Sequence, residues 1–381
     1  RPWHQHYDYN VNPTIRYPQV PVTELLQIPA NALPDKPAFY YHQQQVSFRA
    51  YRKMVLKMAN ALTGIGIQKG DRVGIGLPNC PQYLICYYAV LFCGGIVVNL
   101  NPAYTGEELA AIATDTGLTT LIAPAANQAV VARLIQTVQI PRVILAQQDF
   151  FTEITIPPKD TPSGWYAFGK LLADTTDERR PSVEVDTHDP AVIQFTGGTT
   201  GVPKGVVLSH ANLLAAVMQA SPRMYPILQF IAPERRSALV IIPLYHVYGN
   251  LIANWALFNA ATMILVPRFN ADEIIDLLIQ VDEITYFPAV PTMLTALLNH
   301  PRISEVDLGA KIHVINSGAA PCPVELIDRL RDIGVFITEA WGMSETSGLG
   351  VFNPVLGKKK PGSIGVPAPD NDIRIIDLED G

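Results

Sequence analysis

The sequence is poor in charged residues and in cysteine. Charged residues make up only 16% of the 381 positions, hydrophobic residues make up 48%, and the formal net charge is −6. This acidic balance argues against nucleic acid as the main partner. The four cysteines show no C-x-x-C spacing, so neither a zinc site nor a disulfide framework is indicated. We expect free thiols in a reducing compartment, the cytoplasm.

The sequence also lacks an apolar run with the character of a membrane span. The longest such stretch, residues 83–98, is divided by Gly94-Gly95 into a helix-length piece and a strand-length piece. Signal peptides and internal repeats are not evident either. We therefore expect no transmembrane helix, while peripheral membrane contact and a homodimer stay open.

Strand-like apolar runs alternate with helix-length amphipathic segments through most of the chain. Strands are predicted at 72–76 and 238–242, for example, and helices at 82–92 and 271–280. Repeated β-α-β units with continuously apolar strands predict parallel sheets that are covered on both faces. The expected fold class is α/β, with two Rossmann-like doubly wound subdomains packed as a layered sandwich.

A polar, proline-rich stretch between about 158 and 190 predicts a connection between two sheet-based units. The expected subdomains are residues 1–180, residues 181–361 with the candidate phosphate-binding loop, and residues 362–381 as the start of a small β subdomain.

The most informative segment is residues 195–205, Phe-Thr-Gly-Gly-Thr-Thr-Gly-Val-Pro-Lys-Gly. Its glycines allow successive backbone amides to point into one concave site, and its threonines and lysine add hydroxyls and a cation. This combination indicates a polyphosphate cradle; the alternative is a Gly/Thr-rich surface turn. A Walker A loop does not fit, because Lys204 follows Pro203 and Gly205 stands where Ser or Thr would be needed. The candidate phosphate contacts are Thr196, Gly197, Gly198, Thr199, Thr200, Gly201 and Lys204.

This string resembles the signature of the adenylate-forming (AMP-binding) superfamily, which includes acyl- and aryl-CoA ligases, peptide-synthetase adenylation domains and firefly luciferase. Four further segments resemble motifs of that family and follow in the family's order. They are residues 243–249, 316–321, 339–345 and 360–367. The last is expected to be structural, leading into a strand at 373–376.

The segment Glu339-Ala-Trp-Gly-Met-Ser-Glu345 resembles a family element in which Tyr and Thr stand where Trp341 and Ser344 occur here. The resemblance implies that Glu345 binds Mg²⁺, with the Thr196 hydroxyl as a second contact. It also implies that Ser344 contacts the α-phosphate, that Trp341 flanks the adenine site or the acyl tunnel, and that Gly342 lies in the nucleotide site.

Two other motifs imply contacts to adenine and to the acid. Ser317, Gly318, Ala319 and Ala320 are implied to line the adenine pocket and acyl channel, although such residues also suit a tight β-α turn. His246, which without the motif would be interpreted as a core histidine, is implied to border the acid's carboxylate. The absence of Asp between 241 and 250 favours an uncharged acid over an amino acid.

The resemblance therefore implies an acid–thiol ligase that uses ATP, Mg²⁺ and coenzyme A, with His246, Lys204, Ser344 and Glu345 as catalytic residues. Members that activate long-chain fatty acids are the most similar, so a medium- or long-chain fatty acid is expected. Helices around Trp255 and at 290–298 would wall its tunnel, although core packing explains those residues equally well. The alternatives are an aryl-acid or luciferase-like ligase and a nucleotide-binding fragment without turnover. The latter follows from the expectation that the mobile C-terminal domain and its lysine are absent.

Overall fold

A computed structural model describes residues 1–147, 163–196 and 203–377. The strands of these residues are β1 (Pro37–Tyr41), β2 (Gln44–Ser47), β3 (Arg72–Ile75), β4 (Ile96–Asn99), β5 (Thr120–Pro124), β6 (Arg142–Ala146), β7 (Trp165–Ala167), β8 (Pro190–Phe195), β9 (Gly205–Ser209), β10 (Ser237–Val240), β11 (Thr262–Leu265), β12 (Ile284–Ala289), β13 (Ile312–Ser317), β14 (Phe336–Trp341), β15 (Val351–Phe352) and β16 (Val366–Pro367).

Helices cover both faces of the sheets formed by these strands. They are α1 (Glu24–Ala32), α2 (Phe48–Gly64), α3 (Pro81–Phe92), α4 (Gly106–Thr116), α5 (Gln128–Thr137), α6 (Phe168–Asp174), α7 (His210–Leu228), α8 (Val247–Phe258), α9 (Ala271–Gln280), α10 (Pro291–Leu298), α11 (Leu308–Lys311) and α12 (Val324–Asp332). None of the helices in the described ranges is both long enough and apolar enough to cross a bilayer.

The described strands form two sheets. The larger has the order β16-β15-β14-β13-β12-β10-β11-β1-β2, and the smaller has the order β7-β6-β5-β3-β4-β8-β9. Both are parallel in their centres, and antiparallel pairs occur only at their edges, where β1 pairs with β2, β8 with β9, β14 with β15 and β15 with β16. The α/β prediction with two doubly wound units is confirmed.

The core lies in layers, because alternate residues of a strand face opposite sides of its sheet. Along β10 and the residue after it, Ala238 and Val240 join the core shared by the two sheets, whereas Leu239 and Ile241 join the outer core of the larger sheet. Helices α3 and α8 lie in the shared core. Tyrosine hydroxyls of α3 donate to asparagine side chains of α8, at 3.1 Å for Tyr87–Asn250 and 2.7 Å for Tyr88–Asn254.

Helix α7 is capped by the residue before it and receives a hydrogen bond from a segment distant in the sequence. Ser209 caps it, because the Ser209 hydroxyl accepts a hydrogen bond from the Asn212 amide at 3.2 Å. Inside the helix, Pro226 has no N–H to donate to the carbonyl of Pro222. The Asn10 side chain donates to that carbonyl instead, at 2.7 Å, which ties the N-terminal arm to the helix.

In both sheets, strands that precede residue 180 pair with strands that follow it. β1 pairs with β11 in the larger sheet, and β8 pairs with β4 in the smaller sheet. The three subdomain ranges therefore stay a prediction, and sheet membership does not follow them. The prediction of a strand at 373–376 is wrong. These residues pair with no other strand among the described residues, and the larger sheet ends at β16.

Candidate functional site

Three of the predicted motif segments meet around the side chain of Tyr248, in the first turn of α8. Its hydroxyl donates to Asn316, with the carbonyl oxygen at 3.1 Å and Oδ1 at 2.9 Å. Its ring lies so close to Gly318 that a Cβ there would be 3.3 Å from it. Gly348 lies against α8, because a Cβ on it would be 3.1 Å from the Val247 carbonyl oxygen. Tyr248 thus joins the segments at 243–249 and 316–321, and it lines one cavity together with Ala340 of the segment at 339–345.

His246 is the N-cap of α8, and its Nδ1 accepts a hydrogen bond from the Tyr248 amide at 3.2 Å. In the neutral ring the proton therefore resides on Nε2, which forms no hydrogen bond with another described residue. The side chain of His246 is exposed at the surface. The surrounding protein nevertheless lowers the pKa of His246, because it partly removes the ring from water and so disfavours the charged form. A neutral His246 can therefore donate its Nε2–H to a carboxylate oxygen.

The segment after β13 places small residues beside Tyr248. Ser317 is buried and Gly318 is packed on the tyrosine ring, while Ala319 and Ala320 are exposed. Ala319 has a φ of +66°, a conformation that L-residues rarely adopt. The chain therefore turns sharply here, which fits both the tight turn and the predicted approach of a flat ligand.

The segment after β14 forms a tight turn that exposes Glu345. A Cβ on Gly342 would lie 2.2 Å from the carbonyl oxygen of Gly348, so only glycine fits at position 342. A short 3₁₀ helix follows, Ser344–Thr346, in which Ser344 is buried and Glu345 is exposed. Trp341, the last residue of β14, is 40% exposed, with one side of its ring against Gly350.

The predicted phosphate loop connects the antiparallel strands β8 and β9. Its ends are closed by a hydrogen bond of 3.0 Å from the Thr196 amide to the Lys204 carbonyl oxygen. Lys204 is exposed beside a cavity of about 550 Å³ that Glu107, Glu108 and Asp115 of α4 also line. Gly197, Gly198, Thr199, Thr200 and Gly201 lie outside the described residues.

The hairpin and the Glu345 turn lie next to each other, because the Ser344–Thr346 helix contacts β9. The donor set fits Mg²⁺ that arrives with a nucleotide, since this ion takes one or two carboxylates together with phosphate oxygens. It does not form a cage by itself: within the described ranges no group of three or more His, Cys, Asp or Glu side chains is suited to hold a metal.

A small apolar cavity extends inward from Tyr248. Its volume is about 20 Å³, roughly the space of one water molecule. Trp255 and Leu251 of α8, Met224 of α7 and Tyr286 of β12 line it, together with Phe352 and Leu349. All of these residues belong to the shared core, so the cavity lies within that core beside Tyr248.

The sequence analysis did not identify Tyr248. It also did not identify three buried polar side chains that connect β8 and β4 to the loop before α8, namely Gln194, Asn99 and Tyr83. The available signal was a polar residue inside or at the end of an otherwise apolar strand, since buried polar groups need partners. It also missed Glu339, which is in register with Ser317 and whose pKa is raised by burial.

The chain is similar in sequence to known proteins along its whole length. The family model described as AMP-binding enzyme matches residues 26–381. A long-chain-fatty-acid–CoA ligase of Bacillus subtilis is 34% identical, over all of this chain and 70% of the relative. A 4-coumarate–CoA ligase of Oryza sativa is 29% identical, over 95% of this chain and 64% of the relative.

The fold also matches that of solved structures. The crystal structure of a long-chain-fatty-acid-CoA ligase from Archaeoglobus fulgidus superposes with a TM-score of 0.83 at 23% identity, covering 98% of this chain and 74% of that one. The chain thus spans about two thirds to three quarters of the length of these proteins.

Proposed function

The chain belongs to the AMP-binding enzyme family, and from this membership we propose that it contains the nucleotide- and acid-binding part of an AMP-forming acid–thiol ligase. The reaction has two steps. An oxygen of the acid's carboxylate attacks the α-phosphorus of ATP, forming acyl-AMP and releasing pyrophosphate. The thiol of coenzyme A then attacks the acyl carbon, forming the thioester and releasing AMP.

The convergence of three motif segments on Tyr248, with the Glu345 turn beside the Thr196–Lys204 hairpin, carries this proposal. Lys204 and the Thr196 hydroxyl contact the β- and γ-phosphates, and Ser344 contacts the α-phosphate. Glu345 would hold Mg²⁺, which would supply positive charge to neutralise the phosphates. Ser317 to Ala320 and Trp341 flank the adenine, and His246 orients the carboxylate through Nε2–H. Positioning and charge neutralisation then lower the barrier.

We propose that the acid is an uncharged, medium- or long-chain fatty acid. The 34% identity to a long-chain-fatty-acid–CoA ligase supports this class, as does the apolar lining of the cavity behind Tyr248. An aryl acid is the second candidate, because a 4-coumarate–CoA ligase is 29% identical to this chain.

The test is ATP–pyrophosphate exchange with a panel of acids that includes octanoate, palmitate and 4-coumarate. Exchange that depends on one class of acid and falls in His246→Ala and Lys204→Met would support the proposal. Exchange without any acid would contradict it. ATP binding without exchange for any acid would favour the alternative of a nucleotide-binding fragment without turnover.

A further inference from the structure

A ring of buried polar groups connects the two sheets directly beneath the proposed site. The Tyr83 hydroxyl of α3 lies 2.6 Å from Asn99 Oδ1 and 2.9 Å from the Leu244 carbonyl oxygen, so its single proton is shared between them. Asn99 donates through Nδ2 to Gln194 Oε1 at 2.9 Å. Gln194 then donates through Nε2 to the Tyr245 carbonyl oxygen at 2.9 Å, which closes the ring.

These groups are unusually buried for polar side chains. Tyr83 is 1% exposed, Asn99 2% and Gln194 4%. Leaving a buried polar group without a hydrogen-bond partner destabilises the fold, so each member of the ring fixes the orientation of its neighbours. The ring is therefore a rigid connection between the strands of the smaller sheet and a loop of the larger sheet.

The two ends of this connection lie at the two halves of the proposed site. Gln194 is on β8, two residues before Thr196, where the phosphate hairpin begins. Tyr245 directly precedes His246. The same loop is also fixed from the smaller sheet by Asn79, whose Oδ1 accepts a hydrogen bond from the Leu244 amide at 2.7 Å.

We propose that Gln194 is a positioning residue that sets the separation between the phosphate hairpin and the His246 loop. The inference rests on the proposed function, because that separation is the one between the α-phosphorus of ATP and the attacking carboxylate oxygen. Gln194 contacts neither ligand and acts through the backbone at Tyr245 and through its own strand. A misplacement of about 1 Å between reacting groups can cost on the order of 100-fold in rate.

The test compares Gln194→Met with Tyr88→Phe. The first keeps the side-chain length and removes both hydrogen bonds of Gln194. The second removes a hydrogen bond of similar length, the one of 2.7 Å between Tyr88 of α3 and Asn254 of α8. This bond also lies in the core shared by the two sheets, but it does not reach the His246 loop or the phosphate hairpin. Calorimetry then measures the affinity for ATP, for the acid, and for an acyl-sulfamoyl adenosine that joins acid and nucleotide in one molecule.

For Gln194→Met we expect at least a tenfold loss of affinity for the joined analogue, with changes below threefold for ATP and for the acid alone. Tyr88→Phe should show no such selectivity. Equal losses for all three ligands, or none, would overturn the inference. Gln194→Glu provides a rescue: its protonated carboxyl has one donor and one acceptor, so the analogue's affinity relative to the native chain should recover as the pH is lowered.

Amide hydrogen exchange separates this inference from the proposed function. Exchange at Leu244 and His246 should be faster in Gln194→Met than in Tyr88→Phe whether or not ligands bind; unchanged exchange would overturn the inference. A native chain that binds none of the ligands would contradict the proposed function instead. If Gln194→Met does not fold, Tyr83→Phe replaces it, with the same selective loss expected.

Discussion

The indole of Trp255 lies against the phenol ring of Tyr286, with ring centroids 4.7 Å apart and planes tilted by 48°. Both side chains line the cavity behind Tyr248 and are buried. A long alkyl chain bound in this cavity, as proposed above, would need the space that the pair fills. The acid's chain length is therefore expected to depend on this contact.

Shortening Trp255 should favour longer acids. In Trp255→Leu we expect the affinity for palmitate relative to octanoate to rise about tenfold, because each buried CH₂ contributes about 0.8 kcal/mol once there is room for it. The measurement is acid binding by calorimetry across chain lengths. Trp165→Leu is the matched control, since Trp165 is buried in the outer core of the smaller sheet. An unchanged ratio would show that Trp255 only packs the core.

Glu345 should determine the requirement for Mg²⁺. In Glu345→Gln we expect about a tenfold higher Mg²⁺ concentration at half-maximal exchange, because one anionic ligand is lost. Glu325→Gln, an exposed carboxylate in the first turn of α12, should leave this concentration unchanged. Identical Mg²⁺ dependence in the native chain and Glu345→Gln would exclude the metal role.

The turn that carries Glu345 should tolerate no side chain at position 342. Gly342→Ala would place a Cβ 2.2 Å from the Gly348 carbonyl oxygen, which forces this backbone apart. We expect at least a tenfold loss of ATP affinity, measured by calorimetry. Gly106→Ala is the control, because nothing lies within 4 Å of its Cβ position at the start of α4. Native ATP affinity in Gly342→Ala would contradict the role of the turn.

His210 should make stability depend on pH. Burial lowers the pKa of His210 to about 4, and its Nδ1 accepts a hydrogen bond from the Val22 amide at 3.3 Å. The unfolded chain, with a histidine pKa of about 6.5, then binds more protons than the folded chain between pH 6.5 and 4. The stability that comes from keeping His210 buried and neutral is fully present above about pH 6.5. It is lost as the pH falls towards 4.

From pH 7 to pH 5 the free energy of unfolding should therefore fall by about 2 kcal/mol through His210 alone. Urea unfolding at both pH values measures this change. His210→Gln should reduce the pH dependence by that amount, whereas His188→Gln, at an exposed position, should not. The same dependence in all three proteins would assign it to other groups.

Element type was predictable wherever the pattern was long and uniformly apolar, as for the helix at 81–92 and the strand at 72–75. Sheet membership was not, since β1 pairs with β11 and no local pattern specifies a partner so far along the chain. Residues 373–376 have strand composition without a ladder partner among the described residues.

Within the site, the motifs indicated the residues that would face ligands, such as His246 and Glu345. They did not indicate those that fix the motifs relative to one another. Tyr248 contacts β13, and Gln194 connects the smaller sheet to the loop before α8; only the tertiary structure brings those contacts together.

The pairing of β1 with β11 has a consequence for biosynthesis. Phe39 is in register with Met263, more than two hundred residues later. At 5–20 residues per second the ribosome needs roughly ten seconds or more to supply that partner. During this interval the β1–β2 hairpin has no other strand of its sheet beside it. The larger sheet therefore cannot be produced from a contiguous gene segment without the smaller one, whose strands all lie between residues 72 and 209.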